Sequence, residues 1–333
     1  MRIPMQNAAL YHSSVPDFIT ALSETAPMQR LQHVGMNCGC EYTHFPLFKN
    51  IRPYSRLDHS VGTGLIVWHF THSQQQSIAA LLHDIATPVF AHVVDFLHND
   101  HVKQESTEQK TLEIITQSSE ICTLLSSLNL TSEMVADYHI FPIADNDTPR
   151  LSADRLEYTL GNIVNYGFAD IYTIKMLYDN IMVGVNEDNE PELTFKDAEV
   201  ALQFAQLALK CSCVYVSDTD RFAMQMLAEL LNQAIEDEII VESDLMKTEP
   251  EVIAMLSNND EYRKRWQQFR SYAIIQTIDQ PSEQSRQIAA KKRYINPLVL
   301  QYGRVASIFS EFNQSLQQFL LQPFDQNLIA FAE

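Results

Sequence analysis

Residues 79–92 read AALLHDIATPVFAH. An imidazole and a carboxylate, His83 and Asp84, stand side by side at the end of an apolar helical run, followed by a Thr-Pro break and a second histidine, His92. Both donors suit a borderline divalent cation such as Mn, Fe, Co, Ni or Zn, with Mg as a harder alternative. Burying an unpaired charge is costly, and a bound cation offsets that cost. Adjacent helical side chains point about 100° apart, so His83 and Asp84 can reach one ion lying between their directions. The other ligands have to come from elsewhere in the chain. YSRLDHSVGTGLIVWHF (54–70) puts His59 near the start of a helix, and PRLSADRLEYTLGNI (149–163) puts Asp154 early in another. Two histidines and two aspartates from three helices leave coordination positions for water and a phosphate oxygen, and water held by a metal attacks phosphorus readily. Each of the four residues alone is as well explained as a hydrogen-bonded core group. The order H…HD…D, with HD inside a helix, is what carries the metal reading.

The elements that must position these residues read as helices. SIAALLHDIA places Ile78, Leu81, Leu82 and Ile85 on one face, and apolar residues recur at three and four in TLEIITQSSEICTLLSSL (111–128), DAEVALQFAQLALKCSCVYV (197–216) and TDRFAMQMLAELLNQAIEDEII (219–240). Polar breaks fall at 184–195, 257–262 and 278–287. The first, GVNEDNEPELTF, is flanked by segments able to form a small hairpin. The expected architecture is all-α, with a helical core over 1–185, a C-terminal, mainly helical subdomain over 186–333 and room for that one hairpin.

Composition narrows the function. The 333 residues carry a formal charge of -19 and are 46% hydrophobic. So acidic a surface repels nucleic-acid backbones and anionic membranes, while leaving room for a local basic pocket for a small phosphorylated ligand. The N-terminus lacks a signal peptide's apolar stretch, and no run approaches the roughly 20 apolar residues of a membrane span. A cytoplasmic location is the expectation. Five cysteines outline no disulfide framework, and CGC (38–40) and CSC (211–213) lack the spacing of a zinc knuckle. The cationic stretch AAKKRYINPLV (289–299) reads either as a phosphate contact over the site or as a solvated helix end with a Pro stop.

In combination, several blocks carry a family likeness. MQRLQHVGMNCGCEYTHFP (28–46), SRLDHSVGTG (55–64), LLHDIATPVFAHVVD (81–95) and ADRLEY (153–158) together resemble the HD-domain metal-dependent phosphohydrolases, and most of all the branch containing the deoxynucleoside triphosphate triphosphohydrolases. The resemblance covers about residues 28–168. It implies His59, His83, Asp84 and Asp154 as ligands of one divalent metal. It implies Arg56 as an arginine that meets substrate phosphate, a task suited to a planar fork of donors. It implies Tyr158 as a tyrosine lining the substrate pocket, and His92 and Asp95 as groups beside the scissile phosphate. It also implies a nucleotide or another small phosphorylated metabolite as substrate, and a homo-oligomer.

The chain departs from that branch at Ala86 and Val89, which stand in place of glycines, and at two positions expected to transfer protons. Thr87 stands where the triphosphohydrolases usually place a histidine after the HD pair, and HVKQESTEQKT (101–111) has Gln104-Glu105 in place of a His-Glu pair. Gln is neither acid nor base near neutral pH. Proton transfer typically contributes 10²–10⁴-fold in rate, so His92, His98, His101 or Glu105 has to take it over, or hydrolysis is slow or directed at another substrate. The leading expectation is a metal-dependent phosphohydrolase. The alternative is a catalytically weak HD module that binds a nucleotide and acts as a regulatory or interaction protein. A third reading, a phosphodiesterase, would call for a second adjacent metal site.

Overall fold

The computed structural model describes residues 8–94 and 107–332. Three short helices, α1 (Ala8–Tyr11), α2 (Asp17–Ser23) and α3 (Ala26–Arg30), lead into an irregular segment that ends at Ser55. There α4 (Arg56–Thr71) begins on a capping box: Ser55 Oγ accepts from the Asp58 N–H, and the Asp58 carboxylate accepts from the Ser55 N–H. It ends at His72, whose left-handed backbone (φ 50°) lets the chain turn at once into α5 (Gln74–Leu82). The two helices pack closely because Gly64 carries no Cβ. One placed there would sit 3.2 Å from both Leu81 Cβ and the Ser77 carbonyl oxygen.

After α6 (Thr107–Gln117) and α7 (Ser119–Ser127) the chain reaches α8 (Ala153–Asn165), capped by the Ser152 hydroxyl. Helix α9 (Ile171–Asp179) precedes the hairpin β1 (Ile181–Val185) and β2 (Pro191–Phe195), which pairs Ile181 with Phe195 and Val185 with Pro191. Four longer helices follow: α10 (Ala198–Tyr215), α11 (Asp218–Glu236), α12 (Glu249–Asn258) and α13 (Asp260–Ser271). The remainder is β3 (Tyr272–Ile278), β4 (Arg286–Gln287), β5 (Leu298–Val299), β6 (Gly303–Arg304), α14 (Val305–Ile308), α15 (Ser310–Leu321) and β7 (Asn327–Ala332).

The protein is therefore mostly helical but not all-α. The expected hairpin forms and is extended by β5, parallel to β2, and by β6, into a four-stranded sheet. A second sheet of three strands has the order β3-β7-β4. Its central strand β7 pairs antiparallel with β3, from Tyr272 opposite Ala332 to Ile278 opposite Asn327. Strands of two residues leave no periodic pattern, and partners this far apart in sequence leave no local one. The stretch 289–297 is neither helix nor strand, so the helix-end reading of its lysines and arginine does not hold.

Two apolar clusters make the core. One gathers α4, α5, α8, the hairpin and α10, with Leu65, Leu82, Leu160, Phe195 and Phe204 fully enclosed. The other stacks Phe45, Phe90, Phe222, Tyr262 and Trp266 among the entry segment and α11–α13. Both draw on residues before and after 185. Among the described residues no single helix is long and apolar enough to cross a membrane.

Candidate metal centre

Three elements converge where α4 crosses the end of α5 and the start of α8. Helix α4 supplies His59, the C-cap of α5 is His83, and the first turn of α8 carries Asp154. Asp154 Oδ1 lies 2.9 Å from His59 Nε2 and 3.5 Å from His83 Nε2. These three residues offer donor atoms all within 4.8 Å of one another. Donors about 2.1 Å from a cation are about 3.0 Å apart at right angles and about 3.4 Å apart at the tetrahedral angle. The two distances from Asp154 are compatible with ligands around one ion.

Both imidazoles are held with Nε2 inward. His83 Nδ1 is 2.7 Å from the Ala80 carbonyl, to which it donates, leaving Nε2 as the basic nitrogen. His59 Nδ1 is 2.6 Å from Glu157 Oε2, one helical turn beyond Asp154. Glu157 is itself buried and fixed by the hydroxyls of Tyr11 (3.2 Å) and Tyr54. Carboxylate support at the outer ring nitrogen is how metal-binding histidines are usually oriented and made more basic. Glu157 also presses on α4, since a Cβ on Gly62 would lie 2.5 Å from its Oε1. The packing of α4 on α8 thus depends on that glycine.

The electrostatics favour a cation. Burial works against charge on His59, but its hydrogen bonds to Asp154 and Glu157 prevail and raise it to about 10. Burial likewise opposes ionisation of Asp154, and the hydrogen bonds from His59 and His83 hold it well below the usual carboxylate range. A positive charge on His59 is thus favoured by the two carboxylates that flank it. The donor set of two imidazoles and a carboxylate suits a borderline divalent ion.

Asp84 sits at the edge of this group. Its Oδ2 is 3.6 Å from His83 Nε2, 3.9 Å from His59 Nε2 and 2.9 Å from Arg56 Nη1. Its Oδ1 accepts from Thr87 Oγ1 at 2.7 Å. Burial opposes its ionisation, and the Arg56 guanidinium overrides this and keeps its carboxyl well below the usual range. Thr87, the residue that departs from the triphosphohydrolase pattern, thus steadies Asp84. Arg30 Nη2 fastens the same turn by donating to the carbonyls of Thr87 (2.7 Å) and Ile85 (3.0 Å). Arg56 is buried, and its Nε has no hydrogen-bond partner among the described residues.

Tyr158 lies beside the metal group, its ring 6.3 Å from that of His59 and 6.2 Å from that of Tyr215. Tyr138, which the sequence did not single out, packs against His83 with the rings tilted by 37° and their centroids 4.8 Å apart. His92 follows two residues with positive φ, Phe90 (58°) and Ala91 (48°), and its backbone hydrogen bonds to the Cys38 thiol. It does not join the three-residue donor group. Asp95 and Glu105, together with His98, His101 and Gln104, lie outside the described residues. The five cysteines are free thiols, and none joins the donor group. Two cavities open on other residues. One of about 930 Å³ is bounded in part by Asp170, Lys210 and Glu311, and one of about 690 Å³ reaches Glu157 and Asp58.

Glu157 is the main residue the sequence reading missed. Its signal was present: it stands three residues after Asp154, on the same side of α8.

Comparison with known proteins bears on this geometry. No family model matches the chain. It is 25% identical over 243 residues to the uncharacterised protein YdhJ of Bacillus subtilis, covering 72% of this chain and 71% of that one. It is 26% identical over 194 residues to the metal-dependent phosphohydrolase cns2 of Cordyceps militaris, covering 56% of this chain and 53% of that one. A solved phosphohydrolase from Bacteroides thetaiotaomicron superposes with a TM-score of 0.63 at 14% identity, over 96% of this chain and 97% of the other. The chain shares its fold with that phosphohydrolase. A hypothetical protein from Aquifex aeolicus has the same fold, with a TM-score of 0.64 at 17% identity, covering 96% of this chain and 93% of that one.

Proposed function

We propose that the protein is an HD-type, metal-dependent phosphohydrolase acting on a nucleotide or another small phosphorylated metabolite. Deoxynucleoside triphosphates are the first substrates to test, on the strength of the sequence resemblance. The observation that carries this reading is the inward convergence of His59 Nε2, His83 Nε2 and Asp154 Oδ1. The distant relation to a metal-dependent phosphohydrolase supports it.

In this reading His59, His83 and Asp154 hold the ion, with Asp84 completing the set. A bound divalent cation supplies Lewis acidity toward a phosphoryl oxygen and lowers the pKa of water. The chain's own groups do the rest. Arg56, buried and with Nε unengaged, holds phosphate charge. Glu157 orients His59, and Thr87 with Arg56 orients Asp84. Tyr158 walls the space next to His59.

One observation favours a second reading, a nucleotide-binding module with weak or no turnover. The Thr87 hydroxyl donates to Asp84, so the group in the histidine's place supports a neighbour and transfers no proton. The two readings separate in one experiment. Protein purified without chelator is analysed for metal, then screened for phosphate release from deoxynucleoside triphosphates, nucleoside monophosphates and small phosphoesters with Mn, Mg, Co and Ni. Turnover lost in Asp84→Ala supports the enzyme. Tight nucleotide binding with no turnover under any metal supports the module.

A further inference from the structure

The segment from Ile288 to Asn296 forms a strap between the starts of α11 and α8. At one end Arg221 Nη1, in the first turn of α11, donates to the Ile288 carbonyl. At the other, the Asn296 N–H donates to the Pro149 carbonyl at 2.9 Å, just ahead of α8. Ile288 and Ile295 are buried, so both ends are anchored by packing as well. Between the anchors lie Lys291, Lys292 and Arg293. Lys292 is engaged: its Nζ donates to the Leu320 and Gln322 carbonyls at 2.5 and 2.6 Å and lies 5.1 Å from the centre of the Phe324 ring.

Arg293 is different. It is half-buried, and it makes no hydrogen bond or ion pair within the described residues. In a chain with 42 acidic residues, a partly buried guanidinium with all five donors unengaged calls for an explanation. Its neighbours indicate where it lies. Its charge acts on the Tyr158 hydroxyl of α8 and on the Asp220 carboxyl of α11. Burial pushes Tyr158 up to about 12 and Asp220 up to about 7, and Arg293 pulls against burial in both cases. Tyr158 adjoins His59.

We propose that Arg293, carried by the strap, is a second anion-binding residue of the metal centre, holding the part of an extended polyanionic substrate that lies farthest from the ion. Arg56 serves the phosphate beside Asp84, and Arg293 serves the charge on the Tyr158 side. This inference rests on the metal-centre reading, though its test does not depend on turnover.

The test is calorimetric titration of Mg-loaded protein with inorganic tripolyphosphate and with inorganic phosphate. Arg293→Ala is expected to weaken tripolyphosphate binding at least tenfold and phosphate binding less than threefold, and Arg293→Lys is expected to restore part of the loss. Lys292→Ala removes the same charge from the same strap and is expected to change neither affinity. Melting temperature is followed for each variant. Should Arg293→Ala fold poorly, Arg293→Gln, which keeps most of the side chain's bulk, takes its place. Equal binding by wild type and Arg293→Ala, equal loss in Lys292→Ala, or no tripolyphosphate binding by wild type each overturns the proposal. Binding that depends on Arg293 in a protein without turnover leaves it standing and removes the hydrolase reading instead.

Discussion

Glu157 Oε2 lies 2.6 Å from His59 Nδ1, while Asp154 Oδ1 lies 2.9 Å from the other ring nitrogen, Nε2. One imidazole is thus clamped between a carboxylate that supports it and a carboxylate that belongs to the same donor group. Loss of such outer support typically costs 10–100-fold in metal affinity. Glu157→Gln keeps the shape and removes the charge, and is expected to weaken Mn or Co binding by about that factor. Metal titration followed by calorimetry checks it, with circular dichroism to confirm the fold. Unchanged affinity would show that Glu157 is only a packed core acid.

Gly62 controls the same contact from the other side. An alanine Cβ there would meet Glu157 Oε1 at 2.5 Å and its Cγ at 2.6 Å. Glu157 cannot swing away, because Tyr11, Tyr54 and His59 all hold it. Gly62→Ala is expected to destabilise the fold by about 1–3 kcal/mol, the usual cost of overpacking, and to weaken metal binding along with it. Urea unfolding and metal titration on the same sample read both effects. A fully stable Gly62→Ala protein with normal metal binding would show that α4 and α8 adjust freely.

What the sequence revealed follows from how local each signal was. His83 and Asp84 were conspicuous because two polar groups interrupt an apolar run, and the segment ending at Phe195 declared a hairpin by its polar turn. Strands β3 and β7 pair Tyr272 with Ala332, and β5 and β6 are two residues each, so neither periodicity nor a turn announced the sheets. Glu157 was visible as a same-face neighbour of Asp154, but its role depends on a histidine 98 residues away. Arg293 reads in the sequence either as a solvated charge or as a phosphate contact, because the anchors of its strap, Arg221 and Pro149, lie far from it in the chain.

Glu41 gives the protein a pH dependence separate from the metal site. Burial raises its carboxyl from 4.5 to about 8, and the neighbouring carboxylate of Glu249 adds repulsion. Glu249 accepts from the Gly35 N–H at 2.8 Å and the Tyr42 hydroxyl at 2.7 Å, while Glu41 Oε2 has no partner. Between those two pH values the folded state holds a proton that the unfolded chain has lost. The contribution of Glu41 to stability is therefore complete below about pH 4.5, falls as pH rises and is gone above about pH 8. Glu41→Gln is expected to flatten this decline and to match or exceed wild type in melting temperature at pH 8. Parallel melting curves for the two proteins from pH 5 to 8.5 would refute this account.

Metal removal tests the donor group as a whole. A ligand present at 100 times its Kd stabilises the folded state by about 2.7 kcal/mol, or roughly 5 °C in melting temperature for a chain of this size. Chelator is expected to lower the melting temperature by about that amount, and added Mn to restore it. Asp154 is the carboxylate that joins both imidazoles in the donor group, so Asp154→Asn is expected to abolish the shift, and His83→Ala likewise. A combined Cys38→Ser and Cys40→Ser variant should keep it in full, because neither thiol belongs to that group and burial raises the pKa of both. A shift that survives Asp154→Asn but vanishes in the cysteine variant would move the ion from the helix junction to the entry segment.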